Sequence, residues 1–421
     1  MHMPRHAAEP SILEAKPQEW TSLLWQRLAP ERWPIPIDAL PPGTALVGGA
    51  IRDGLLGRLR RRPDLDLVVP ENAVKLTAQL AHRHGGACVV LDAQRDMARL
   101  VLSGWTLDLA RRDGANLETD LWRRDFRLNA IALQLTPSPR LLDPTGGIND
   151  LRAGQLTAIC EENLIDDPLR LLRGLRLISE LHLKIEADTM MMLKRQRHLL
   201  PRAAPERIQA ELQRLVEGPD ADLALDTLQA LQLLQPWQHD EDPASEQWAD
   251  PLCVRGSALE SVAAALSPQE RQQALSLLRL TGCLGDRGLR ELRFSKRLCQ
   301  RCARLRHWLG RQDETGLERL AEPERLQLHQ ELEVDLPALI LQLPEPQRTD
   351  WLERWRDSND PLFHPHPPVD GRTLQRELDL SAGPRLGQLL DHLCRERAFG
   401  RIHNRDESLA AARQWLMTQC G

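Results

Sequence analysis

LVGGAIRDGLLGRLRRRPDLDLVV, residues 46–69, is the stretch on which the fold turns. Leu65, Leu67, Val68 and Val69 read as a buried strand, and its two-residue period sends Asp64 and Asp66 to one face, about 7 Å apart along it. Two carboxylates so placed repel each other. A divalent cation removes that conflict, and Mg²⁺ takes hard oxygen ligands of this kind when it also carries phosphates. A lone Asp-x-Asp equally suits a solvated strand edge. The upstream residues lower that alternative: Ala45, Leu46 and Val47 are apolar, Gly48-Gly49 makes a turn, and Ala50 to Leu59 has a helical pattern. A glycine turn between strand and helix lets backbone N–H groups approach a phosphate at the positive end of the helix.

Working outward, the segment before this stretch reads as a loose tail over residues 1–16 and a short helix over Glu19 to Leu28, with Trp20, Leu23, Leu24 and Leu28 on one face. Downstream, a helix is expected over Asn72 to His84 and a strand over Ala87 to Leu91. A hairpin follows, with arms Ala98 to Ser103 and Trp105 to Ala110 joined through Gly104. This alternation predicts an α/β domain of modest size. Asp108 lies in the last strand and is a candidate third carboxylate beside Asp64 and Asp66.

DLWRRDFRLNAIALQL, residues 120–135, begins with Arg123, Arg124, Asp125 and Arg127 and then turns apolar. It suits a solvated helix start, or a group of side chains that holds a triphosphate and a ribose hydroxyl. From Leu164 the period becomes helical almost to the end. Ile165 to Leu183 is expected to be one helix with an acidic cap and Pro168 in its first turn. Arg170, Arg173 and Arg176 recur every three residues along it, and Asp167 stands three before Arg170. These arginines are either solvated surface or, with Asp167, donors and acceptors for the edge of a nucleobase, where an unmatched buried polar group is costly. Residues 205–216, PERIQAELQRLV, continue as an amphipathic helix with Ile208, Leu212 and Leu215 inward. Residues 236–250 are the best linker candidate.

The chain has 421 residues and 42% apolar content, enough for two to four packed units. Its 55 Lys+Arg against 60 Asp+Glu give a net charge of -5, so any nucleic-acid-binding face is local rather than global. Eight scattered cysteines fit a reducing compartment. Cys299-x-x-Cys302 lacks a second pair at zinc spacing and reads as helix packing. His364-x-His366, set among prolines, reads as a loop before it reads as a metal site. No apolar run reaches the length of a membrane span and residues 1–10 lack a signal-peptide core, so the expected location is the cytoplasm.

GGAIRDGLLG, DLDLVV, RRDFRLNAIAL, DPTGG, DDPLRLLRGLR and PERIQAEL, in that order, resemble the class II tRNA nucleotidyltransferases and the related bacterial poly(A) polymerases. The region from Val369 resembles the C-terminal part of the tRNA enzymes. The resemblance implies an α+β protein: a nucleotidyltransferase α/β head over residues 36–150 after an N-terminal segment 1–35, then a helical neck 151–218, body 219–350 and tail 351–421. It implies Mg²⁺ on Asp64 and Asp66, triphosphate contacts from Gly48, Gly49 and Arg52, and sugar and phosphate contacts from Arg124 and Asp125. Asp167 with Arg170 would read the base of CTP or ATP, with Arg173 near the phosphates. The implied partners are CTP, or ATP, and the 3′ end of tRNA. Asp166 stands where the family usually has Glu, and Arg127 where Thr is usual. The run Arg111 to Thr119 is short where enzymes that build a whole CCA end carry a longer flexible loop, which resembles the CC-adding members. Such an enzyme leaves the final A to a separate A-adding enzyme.

Overall fold

The computed structural model describes residues 10–238 and 266–418, which form two compact units, one of residues 10–211 with 218–233 and one of 212–217 with the described residues from 234 onward. The first unit is built on a seven-stranded mixed sheet. Its strands are β1 (Ala45–Val47), β2 (Leu65–Val69), β3 (Ala87–Asp92), β4 (Met97–Leu102), β5 (Trp105–Arg111), β6 (Ala132–Gln134) and β7 (Arg140–Leu142), in the order β3-β4-β5-β2-β1-β6-β7. Only β2 and β5 run parallel, and their register sets Asp66 opposite Asp108. The β4–β5 hairpin turns through Ser103 and Gly104, both at positive φ, as a two-residue hairpin turn demands.

Helices α1 (Trp20–Leu28), α2 (Gly49–Leu55), α3 (Ala73–His84), α4 (Leu117–Trp122) and α5 (Gly147–Ala153) accompany the sheet. Beyond it come α6 (Glu161–Asp166), α7 (Leu169–Leu181), α8 (Ala187–Gln196), α9 (Pro205–Glu217) and α10 (Ala221–Leu231). The core of the sheet consists of the residues the alternation places inward, among them Leu46, Leu65, Leu107 and Leu109, all at 0% exposure.

Four expectations need correction. Residues 10–16 are not loose: Ile12 and Leu13 are buried, and the Ser11 hydroxyl donates to the Leu55 carbonyl at 3.2 Å. The helix after Gly48-Gly49 stops at Leu55, because Gly57 takes positive φ and turns the chain. Residues 120–135 are not one element, since α4 ends at Trp122 and the apolar half becomes β6, pairing with β1. Residues 165–183 are two helices: Asp167 is extended (φ -136, ψ 92) before Pro168, as the residue preceding a proline prefers.

The second unit is helical throughout its described residues. Most of the linker candidate, residues 239–250, lies outside the described residues, while Gln235–Gln238 is a short helix. Cys299 and Cys302 sit on the helix Lys296–Thr315; burial raises both thiols, Cys302 to about 11, as packing residues rather than nucleophiles. His364 Nε2 and His366 Nδ1 lie 2.6 and 2.7 Å from the carbonyls of Trp355 and His364. Residues 369–415 form three helices around Leu374, Leu389 and Leu393.

One buried histidine sets a pH response in this unit. His329 is 2% exposed, packs on Phe363 with ring centroids 4.2 Å apart, and leaves Nδ1 without a hydrogen-bond partner. Burial first, then the Arg354 charge, pushes its pKa down to about 3; Arg325 and His364 act the same way and Asp360 opposes. The folded state therefore refuses a proton that the unfolded chain accepts below about 6.5, so stability present at neutral pH is lost as the pH falls. Between pH 6.5 and 5 the loss should be about 2 kcal/mol. Urea titrations at several pH values should show this slope in the native chain and its absence in His329→Leu.

Candidate functional site

Asp66 stands in the middle of the sheet, between Val47 of β1 and Asp108 of β5. Burial pushes its carboxyl up to about 6, helped by Asp108 and Asp64 and opposed by Arg124 and Arg99. Gly48 turns the chain beside it at φ 73, and a Cβ built there would lie 3.2 Å from Asp66 Oδ2. The glycine leaves the carboxylate open to the turn that starts α2.

Asp108 joins this group in register but not as an open ligand. Arg99 of β4, its cross-strand neighbour, donates from Nε to Oδ1 at 2.7 Å and from Nη2 to Oδ2 at 2.8 Å. Among the described residues no three His, Cys, Asp or Glu side chains converge as a metal cage. The donor set that fits a cation is thus a carboxylate pair, Asp64 and Asp66, completed by oxygens from a phosphate ligand. That is the habit of Mg²⁺, which keeps few protein ligands.

Arg52 extends from α2 and is 6% exposed. Its Nε donates to Asp53 at 2.9 Å and its Nη1 to Asn129 Oδ1 at 2.9 Å. Asn129 in turn donates to Asp125 Oδ1 at 3.2 Å, where the Phe126 N–H also donates at 2.8 Å. Asp125 Oδ2 accepts from Arg173 Nη1 at 3.2 Å, and Glu211 of α9 accepts from Arg173 and, at 2.6 Å, from Arg176. Burial opposes ionisation of Asp125, yet Arg173, Arg170 and its two hydrogen-bond donors hold it below the usual carboxylate range. A continuous polar chain therefore runs from the glycine turn to α9. Gly174 permits it, because a Cβ there would lie 2.6 Å from the Phe126 ring, and α7 could not approach.

Arg124 donates to Asp120 at 3.0 Å, while its Nε is buried without a partner. Arg170 Nε is buried and unpartnered as well. Two orphaned guanidinium donors in one site are costly unless a ligand meets them. Asp167 and Arg170 do not hydrogen-bond to each other through their side chains. Asp167 Oδ2 accepts from Arg207 of α9 at 2.9 Å, and Arg170 Nη1 donates to the carbonyls of Arg123 and Asn163 at 2.9 and 3.0 Å. Burial opposes ionisation of Asp167, but the Arg207 contact holds its pKa below the usual carboxylate range. The arginine row on α7 is not solvated surface, since Arg176 is 9% exposed.

Sequence reading missed Arg99, Asn129, Asn163, Arg207 and Glu211. A signal existed for two of them: Arg207 and Glu211, four apart in PERIQAEL, form one charged helix row complementary to Asp167, Arg173 and Arg176.

The family model "Poly A polymerase head domain" matches residues 92–157, and "Probable RNA and SrmB- binding site of polymerase A" matches residues 182–241. A CC-adding tRNA nucleotidyltransferase of Synechocystis sp. is 33% identical over 92% of this chain and 97% of its own length. A CC-adding tRNA nucleotidyltransferase of Thermus thermophilus is 32% identical over 90% and 94%. In fold, the chain is similar to a Thermotoga maritima CCA-adding enzyme complexed with tRNA, with a TM-score of 0.67 at 20% identity over 96% of this chain and 98% of that one. With identity above 30% to both over nine-tenths of its length, the chain belongs to the tRNA nucleotidyltransferase family.

Proposed function

We propose that the protein is a template-independent tRNA 3′-end nucleotidyltransferase that adds the two CMP residues of the CCA terminus from CTP, with Mg²⁺. The observation that carries CC addition is full-length similarity to two enzymes named for it. It is supported by the brevity of the connection between β5 and α4, residues 112–116, which is also tied down. There the Asp113 N–H donates to Asp120 at 2.9 Å and Arg123 pairs with Asp113, leaving no slack for a loop that remodels the site for ATP. The reaction takes place where the transferred nucleotide and tRNA are handled, in the cytoplasm.

In this reading residues 36–150 are the head, 151–218 the neck, 219–350 the body and 351–421 the tail. Asp64 and Asp66 would hold Mg²⁺, which when bound offsets charge on the triphosphate and lowers the pKa of the attacking hydroxyl. A bond forms from the tRNA 3′-oxygen to the α-phosphorus as the bond to the β-phosphate oxygen breaks, and pyrophosphate leaves. The Gly48-Gly49 turn and Arg52 cradle the phosphates. Arg99, by donating two hydrogen bonds to Asp108, fixes that third carboxylate beside Asp66. Asp125 accepts from the ribose hydroxyl through the remaining lone pair of Oδ2, beside Arg173, and Arg124 meets phosphate oxygens. Asp167 accepts from, and Arg170 donates to, the edge of the base.

Purified protein incubated with tRNA ending at the discriminator base and each labelled nucleotide in turn should incorporate CMP, two residues and no more. Incorporation of ATP alone or after CTP defeats CC addition and favours the A-adding relatives, one of which, from Deinococcus radiodurans, is 40% identical over 47% of this chain. Long A tracts on unrelated RNA would point instead to poly(A) synthesis.

A further inference from the structure

Asn163, on α6, is a knot between the turn Trp122-Arg123-Arg124 and the guanidinium of Arg170. It is 6% exposed. Its side-chain Nδ2 donates to the Trp122 carbonyl at 2.9 Å and to the Arg124 carbonyl at 2.7 Å. Both partners are pure acceptors, so the nitrogen and not the oxygen of the amide must face them. Its own backbone carbonyl accepts from Arg170 Nη1, which also donates to the Arg123 carbonyl. Three successive carbonyls of the turn are thus held by Asn163 and Arg170 together.

The consequence for Arg170 is geometric. Its Nη1 is consumed by two backbone oxygens, and the buried Nε carries no partner. The free donor edge is therefore Nε with Nη2, and the direction in which it points is set by where Nη1 is anchored. On the reading of Arg170 as a base-edge donor, we infer that Asn163 is a positioning residue for nucleotide choice. It fixes which edge of the guanidinium faces the base and, through the Arg124 carbonyl, holds the backbone of Arg124 in matching register. The inference rests on the proposed function, because it assigns Asn163 to the accuracy of that same site.

Asn163→Asp and Asn163→Ala test it, the first replacing a two-carbonyl donor with an acceptor that repels both oxygens and attracts the Arg170 charge, the second removing the knot. The discrimination ratio, kcat/KM for CTP over that for ATP, should fall about tenfold or more in both, as expected when one or two well-aimed hydrogen bonds are misdirected. The loss should sit mainly in the KM for CTP, and direct CTP binding by calorimetry should weaken in parallel without any tRNA present. Thermal melting of each variant reports its structural cost. A ratio and a CTP affinity equal to the native ones, with only the melting temperature lowered, would show Asn163 to be mere packing and overturn the inference. If the native protein binds CTP but incorporates no CMP into tRNA, the functional reading fails, while the CTP-affinity comparison still decides the role of Asn163.

Discussion

Asp66→Ala should abolish nucleotide transfer, with kcat reduced about a thousandfold or more, while filter binding of tRNA stays within about twofold of native. The reason is the position of this carboxylate. It is central in the sheet, faces Asp108 across a parallel ladder and opens onto the Gly48 turn, so no neighbour can take its place. The isosteric Asp66→Asn separates charge from shape. It should be equally inactive, yet melt at a higher temperature than native protein when divalent cations are withheld, because it removes one member of a repelling, buried pair. Adding Mg²⁺ should raise the melting temperature of native protein and leave that of Asp66→Asn unmoved. Full turnover by either variant would remove Asp66 from the chemistry.

Glu211→Ala is expected to be the largest single loss of stability among the polar residues of α7 and α9. Glu211 is 9% exposed and accepts from buried Arg176 and half-buried Arg173, two cations whose desolvation its charge offsets. Removing one partner of a buried ion pair costs more than the pair contributes, because the remaining charge stays desolvated. Arg173 keeps Asp125 and Arg176 keeps Glu180, so the expected cost is about 3 kcal/mol, at the low end for such breaks. A urea midpoint shifted accordingly, together with weaker CTP binding as Arg173 drifts from Asp125, would bear this out; an unchanged midpoint would show that the arginines relax into solvent.

The sheet was legible because its signals are local. Asp64-x-Asp66 in an apolar run, Gly48-Gly49 before a helical pattern and Ser103-Gly104 between two strands each specify one conformation. The failures came where tertiary pairing decides. Ala132–Gln134 has nothing in its sequence that separates strand from helix until β1 lies beside it. The extended Asp167 breaks a helix whose apolar period runs straight through, and only the proline after it hints at the break. Of the site, the residues that would touch a ligand were visible as charged groups out of place in apolar company. The residues that hold them, Arg99, Asn129 and Asn163, were not, because their decisive contacts reach 9, 77 and 39 positions along the chain and none stands out among its neighbours.

Arg127 N–H donates to the Thr157 carbonyl at 3.0 Å and Ile159 N–H to the Asp125 carbonyl at 3.1 Å, so the turn from Asp125 to Arg127 is stitched as a strip of sheet to the chain that leads into α6. For anyone recombining these enzymes, a crossover at residue 150 would fall between the two halves of this strip and sever it. On the function proposed above, a graft meant to exchange base preference travels as a single cassette running from Asp120 through Arg176, since a crossover inside it would marry a turn from one parent to the strip of another.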